Sequence, residues 1–270
     1  MSYRLLRVSS VALLLALCSG IAPAQQPAPV WDIVSIKPHK PGDDNVSENM
    51  SPATFTGRNV TFKMLISQAY NVKQWLIFGL PSWANDQHWD IEAKVSEPDM
   101  KQLRNLKREE RQAMMIAFLK DHVGLVAHKE SKVQPVFEMT VLPEGAKFKE
   151  VPAPPIPENG EKPKPNSTMN TNNGSIVGKG VTMPGLADAL SYEVERNIVD
   201  RTGLTADYGY LIDLHWTPEE RDKGNDNGTG TDAPPPFFEA VREQLGLKMV
   251  PGKAEVPTVV VDKIQPPDAN

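Results

Sequence analysis

The sequence predicts an α+β protein made of two tandem copies of one small β-α-β-β-α-β-β layered unit, helices packed on one face of a sheet, joined by a Pro-rich linker. Three observations predict it. The motif Gly57-Arg58-Asn59-Val60-Thr61 returns as Gly178-Lys179-Gly180-Val181-Thr182, an offset of 121. Helical and strand periodicities follow both motifs in the same order. Prolines crowd into the stretch Val151–Asn166, VPAPPIPENGEKPKPN, and Pro-rich polar chain builds neither a helix nor a central strand.

Taken in order, Trp31–Lys37 reads as an extra strand ahead of the first unit. After the first motif, Phe62, Leu65, Ile66, Ala69 and Tyr70 recur at helical spacing, and Met183, Leu186, Ala187 and Leu190 do so after the second. Thr61 and Thr182 stand where a hydroxyl caps a first turn. GLPSW, residues 79–83, reads as a turn between strands. Trp89, Ile91, Ala93 and Val95 alternate with polar residues, and Tyr210, Ile212, Leu214 and Trp216 repeat the alternation at offset 121, the mark of a half-buried strand. A second helix stops at Gly124 in one unit and at Gly246 in the other, each suited to a left-handed cap. Each unit closes on a strand after a proline: Val136–Leu142 after Pro135, and Thr258–Ile264 after Pro257. The offset drifts to 124 only between the turns Gly79-Leu80 and Gly203-Leu204. The organisation expected is a signal peptide over 1–24, a first unit over 25–145, a linker over 146–171 and a second unit over 172–270. A further loop, Glu219 to Pro235, is rich in Asp, Asn, Gly and Thr.

Arg4 and Arg7, the apolar run Val11 to Leu17 and the small-x-small site Ala22-Pro23-Ala24 predict Sec-type export with cleavage after Ala24. Lipid attachment at Cys18 is disfavoured by the large Leu17 where a small residue is needed. Cleavage removes the one cysteine, so the mature chain is expected to have no disulfide, thiolate metal site or cysteine nucleophile. Losing two arginines from the 29 basic residues sets 27 against 34 acidic ones. Such a surface disfavours nucleic acid and anionic membrane as partners, and no later run is long and apolar enough for a transmembrane segment. The product is expected in the periplasm or outside the cell.

No catalytic, metal or cofactor residues are assigned, and no cofactor is expected. Histidines 39, 88, 122, 128 and 215 lack ligand spacing, and His122 and His128 read as ordinary polar residues. There is no Gly-x-Ser-x-Gly elbow. Asp90, Glu92 and Asp213 alternate with apolar residues, which puts them on the solvent face of a sheet. The run Asp222 to Gly228 has Lys223 where a calcium loop begins with an acid. Trp75 and Trp83 are candidate stacking or partner contacts. Asp200 and Arg201, in the matching turn of the second unit, are further candidates, and they also suit a salt-bridged turn.

WDIVSIKP, FTGRNVTFKMLISQAY, GLPSW with WDIEAKV, and FLKDHVGLVAHKE with PVFEMTV form one ordered set of motifs. VTMPGLADAL, IVDRTGL, YLIDLHWTPEE, and FFEAVREQLGLK with VVVDKIQPP continue it. Together they resemble a soil-associated, secreted family of unknown function that occurs in many paralogous copies in soil bacteria. That resemblance implies no activity or cofactor. Similar domains fused to membrane metallopeptidases imply extracytoplasmic sensing, but this chain has no His-Glu-x-x-His motif. Each unit also resembles the small N-terminal domains of secretins and TonB-dependent receptors, which mediate protein contacts. The function expected is a non-catalytic extracytoplasmic binding or protein-interaction module for an unknown protein or small ligand of the envelope. The alternative is a secreted hydrolase of envelope or extracellular polymers with a site between the two units.

Overall fold

A computed structural model describes residues 29–157, 160–218 and 234–268. The expected signal segment with Cys18 and the run Asp222 to Gly228 lie outside the described residues. The described chain is mixed α+β, with six α-helices and three four-stranded sheets. None of those helices is long and apolar enough to cross a membrane.

In the N-terminal half, β1 (Ile33–Pro38), β2 (Ser47–Met50) and β3 (Thr54–Val60) precede α1 (Phe62–Tyr70). The Thr61 hydroxyl accepts the Met64 amide to start α1, and Asn71 ends it in the left-handed region at φ 50°. A 3-10 turn (Gln74–Leu76), β4 (Ile77–Phe78), α2 (Ser82–Asp86), β5 (Trp89–Lys94), α3 (Met100–Arg104), α4 (Arg108–Val123) and β6 (Val126–Val141) follow. The GLPSW segment is therefore not a simple turn, because Ser82 begins a short helix. The first sheet runs β1-β5-β3-β2, antiparallel throughout. Its buried face, with Ile36, Phe55 and Ile91, packs on Phe62, Leu65 and Ile66 of α1 and on Met115, Phe118 and Leu119 of α4.

In the C-terminal half, β7 (Lys149–Glu150), β8 (Thr168–Asn172) and β9 (Ser175–Val181) lead to α5 (Met183–Glu193). Then come β10 (Ile198–Asp200), β11 (Tyr210–His215), α6 (Phe237–Leu245) and β12 (Leu247–Lys263). The third sheet runs β7-β11-β9-β8. Its inner residues Ile176, Ile212 and Leu214 meet Leu186 and Leu190 of α5 and Phe237 and Val241 of α6. β3 and β9 carry the same irregularity. Their registers slip at Gly57/Val60 and at Lys179/Val181, with Asn59 (φ 57°) and Gly180 (φ 73°) as the left-handed residues of the two bulges.

The middle sheet, β10-β6-β12-β4, is shared between the halves. β6 and β12 pair antiparallel from Val126↔Lys263 to Val141↔Leu247. β4 joins β12 in parallel with Ile77 opposite Val259, and β10 joins β6 in parallel with Ile198 opposite Phe137. Val259 and Val261 of β12 consequently lie in the core of the N-terminal half, while Met139 of β6 lies in that of the C-terminal half.

Two expectations change here. The closing strands do not start after Pro135 and Pro257; each is the second part of one long strand that runs through its proline. Pairing with the partner strand outweighs the missing amides, one in β6 and two in β12, which a strand tolerates where the amide would point away from the ladder. The Pro-rich stretch does not pass from one sheet to another either, since it connects β7 to β8, both in the third sheet. β7 borders β11 as β1 borders β5, so the strand expected as an extra one at Trp31–Lys37 has a positional counterpart.

Candidate functional site

Of the four candidate contact residues, Trp75 sits where the halves meet. The 3-10 turn places its half-buried ring against the C-terminal half. Its Nε1 donates to Asn197 Oδ1 at 3.1 Å, and its ring meets Tyr192 edge-on with centroids 5.6 Å apart. Lys73, two residues earlier, brings its Nζ against both rings, 5.5 Å from the Trp75 centroid and 5.0 Å from that of Tyr192. Its Nζ lies 2.9 Å from Asp188 Oδ1, with only 13% of the side chain exposed. Burial pulls the Lys73 pKa below the ordinary lysine value, against the opposing pull of Asp188. Beneath them Leu76, Val136 and Val256 form a small core that takes residues from both halves.

This junction predicts a graded loss. Trp75→Phe keeps an aromatic ring but forfeits the bond to Asn197, a cost of about 1 kcal/mol. Trp75→Ala also removes the ring packing, and about 3 kcal/mol is expected. Urea midpoints of the two variants, compared at equal m-value, measure both.

The other candidates stand apart from it. Trp83, on α2, packs its ring edge-on against Phe62 at 5.6 Å, at the margin of the N-terminal core. Asp200 and Arg201 have separate partners and do not form the expected salt-bridged turn. Asp200 Oδ1 accepts the Thr202 amide and hydroxyl at 2.9 and 2.7 Å, whereas the Arg201 side chain reaches Glu138 of β6, Nε to Oε1 3.9 Å, and its amide donates to Met139 O at 2.8 Å. Sequence reading missed Lys73, Asp188, Tyr192 and Asn197, because a contact between halves has no local periodicity to announce it.

A second polar cluster surrounds the β3 bulge. His39 Nδ1 lies 2.7 Å from Asp90 Oδ1, and its Nε2 lies 2.8 Å from the main-chain oxygen of Asp43. Asp90 Oδ1 also accepts the Asn59 amide at 3.1 Å, and His88 Nδ1 bonds Asn59 Oδ1. Arg58 lies 3.3 Å from the Asp43 carboxylate. In the C-terminal half the same corner is closed by backbone alone, because a Cβ on Gly209 would come within 2.4 Å of Gly180.

His128 pairs with Asp262 and His215 with Asp213, each at 2.8 Å, while His122 lies against the Phe118 ring. Among the described residues no three His, Cys, Asp or Glu side chains converge as metal ligands. A shallow cleft of about 370 Å3 is lined by Leu142, Glu144, Lys147, Glu239, Arg242 and Glu243, and Lys147 Nζ there already donates to Glu243 O at 2.8 Å.

The sheet edges differ in how they are protected. β1 ends in Lys37-Pro38 and β2 carries Glu48, while β4, β7 and β10 are only two or three residues long. Charge, proline and shortness are the usual means by which an edge resists further pairing. β8, Thr-Met-Asn-Thr-Asn, has none of these, and all five residues are exposed.

No curated protein and no solved structure matches the chain. A family described as protein of unknown function (DUF3738) matches residues 63–264, which is more than half of the sequence. The chain therefore belongs to the DUF3738 family.

Proposed function

We propose that the protein is an exported binding module that takes up an extended segment of a partner in the cell envelope by strand addition. The observation that carries this reading is β8, an outer strand of five exposed, uncharged residues in a chain whose other outer strands are short, charged or proline-ended. Main-chain donors and acceptors along such an edge supply affinity, and the neighbouring side chains supply selectivity. Export is supported by the amino-terminal charge and apolar pattern.

We further infer that the chain is one unit used twice. The equal strand orders β1-β5-β3-β2 and β7-β11-β9-β8 support it, as do the matched bulges and the reciprocal β4–β12 and β10–β6 pairings. On this reading the Pro-rich stretch is a long loop inside the second unit, at the place of residues 39–46 in the first.

The test uses the mature protein as bait against its own envelope fraction, beside Thr168→Lys/Asn170→Lys, which guards the edge as natural edges are guarded. A partner retained by the parent protein and lost by the variant at equal melting temperature is the expected result. Equal capture by both removes β8 from the reading. Turnover of an envelope polymer abolished by one point substitution would establish the hydrolase instead.

A further inference from the structure

We propose that His39 is the pin of a pH-dependent latch, fastening the loop from His39 to Val46 onto the β3 bulge while its ring is protonated and releasing it when the proton leaves. The geometry sets the protonation state. Nδ1 faces the Asp90 carboxylate and Nε2 faces the Asp43 carbonyl, and both oxygens only accept. Both contacts are therefore hydrogen bonds only when each ring nitrogen carries a proton, which is the imidazolium form. Asp90 stays a carboxylate because the same Oδ1 also accepts the Asn59 amide. Only 10% of the His39 side chain is exposed, so water does not readily replace a lost bond.

The charged and titratable groups around the ring come from three elements. Asp90 belongs to β5. Asp43 lies in the loop itself and is bonded by Asn45 and by Arg58 of β3. His88 precedes β5; its main-chain oxygen accepts the His39 amide at 2.9 Å and its ring bonds Asn59. The bond from Asp90 and then that from the Asp43 carbonyl raise the His39 pKa above the ordinary histidine value, against a smaller opposing effect of burial. For Asp90, burial acts upward, but the bonds from His39 and Asn59 prevail and its pKa is lowered.

A group whose pKa is raised on folding contributes stability below its unfolded value, and that contribution is lost as pH rises through the folded pKa. The latch is thus closed from the acidic limit set by Asp90 up to the raised His39 value, and it opens above that. On opening, one acceptor loses its donor and the loop leading into β2 is held to the bulge only by the exposed Arg58–Asp43 pair and the His39 amide bond to His88. Among the described residues the C-terminal half has no equivalent, since Gly180 and Gly209 fill that corner. The device belongs to one end of the molecule.

The experiment is an NMR titration of the mature protein across roughly pH 5 to 9, bracketing the ordinary histidine value. The His39 ring signals and the exchange protection of the Asn45 and Asn59 amides are followed together. His39 is expected to titrate above the ordinary value, with protection at both amides falling several-fold through the same midpoint. Asp90→Asn, at a side chain 40% exposed, is expected to bring the midpoint back toward the ordinary value. His39→Gln, whose N–H donors share one nitrogen and so cannot span acceptors set on opposite sides of the imidazole ring, is expected to leave protection low and flat with pH. A His39 midpoint at or below the ordinary value, protection without a step at that midpoint, or a step that survives in His39→Gln would each overturn the latch.

Discussion

Cutting the backbone inside the Pro-rich stretch is expected to leave two fragments that remain one particle. A protease site inserted between Lys162 and Pro163 separates a piece carrying β1 to β7 from a piece carrying β8 to β12. Two self-contained domains on a linker would drift apart at once. Here the amino-terminal piece holds β6 against β12 along nearly the whole length of both strands and β7 against β11, with Phe148 edge-on to Tyr210 at 5.1 Å. Separation would also strip Val259 and Val261 from one core and Met139 from the other, all of them buried. Each such side chain contributes roughly 1.5–3 kcal/mol. Part of that sum offsets the freedom lost on association, and the ladder and the Lys73–Asp188 junction add to it. Native gel filtration after complete cleavage should show one peak at the uncut elution volume, resolving into two only in denaturant. Two peaks in native buffer at about micromolar concentration would mean that the middle sheet does not hold the halves together.

The elements that were legible in the sequence are those whose causes are local. Thr61 and Thr182 cap helices because a hydroxyl three residues upstream of a free amide can do so in any context. Gly124 and Gly246 end helices at φ 58° and 66° because a left-handed residue is needed there. The alternation in Trp89–Lys94 and Tyr210–His215 reports one buried face of a sheet, whichever strands lie beside it. The partner of a strand is another matter. Val126–Val141 carries no local mark that it pairs with Leu247–Lys263, far along the chain, and not with the strand before it. Pro135 and Pro257 read as starts because proline usually sits at strand ends, whereas each lies well inside a long strand.

The candidate site divides along the same line. Trp75 stood out because a large aromatic residue beside a turn is conspicuous, but its partners Tyr192 and Asn197 are visible only once the chain has folded back. His39 and Asp90 lie 51 residues apart and meet because β1 pairs with β5 in a register that sets Pro38 opposite Trp89. The signal available was a comparison between the matched motifs: Asn59 against Gly180 and His88 against Gly209. Where one half needs only backbone, the other carries side chains that bond to each other.

Met139→Ala tests whether the shared sheet makes the molecule a single cooperative unit. Met139 belongs to β6, a strand of the N-terminal half, yet it is fully buried in the core around Trp216 and Phe237 of the C-terminal half. Truncating a buried methionine to alanine costs about 2–5 kcal/mol, from lost transfer energy and the cavity left behind. For a chain of this size that is a melting-point loss on the order of 4–20 °C. The informative feature is which parts of the molecule melt. Trp31 and Phe118 report on the N-terminal core, where their rings meet edge-on at 6.1 Å, and Trp216 reports on the C-terminal core against Phe237 at 5.3 Å. If the halves were independent, the substitution would lower the transition seen at Trp216 and leave that at Trp31 in place. With β6 and β12 as one ladder, loosening one end withdraws support from β12, which carries Val259 and Val261 into the other core. Both reporters are expected to move together, in one transition whose calorimetric and van't Hoff enthalpies agree. Two separated transitions, with only the Trp216 one displaced, would show that the shared sheet joins the halves without coupling their stability.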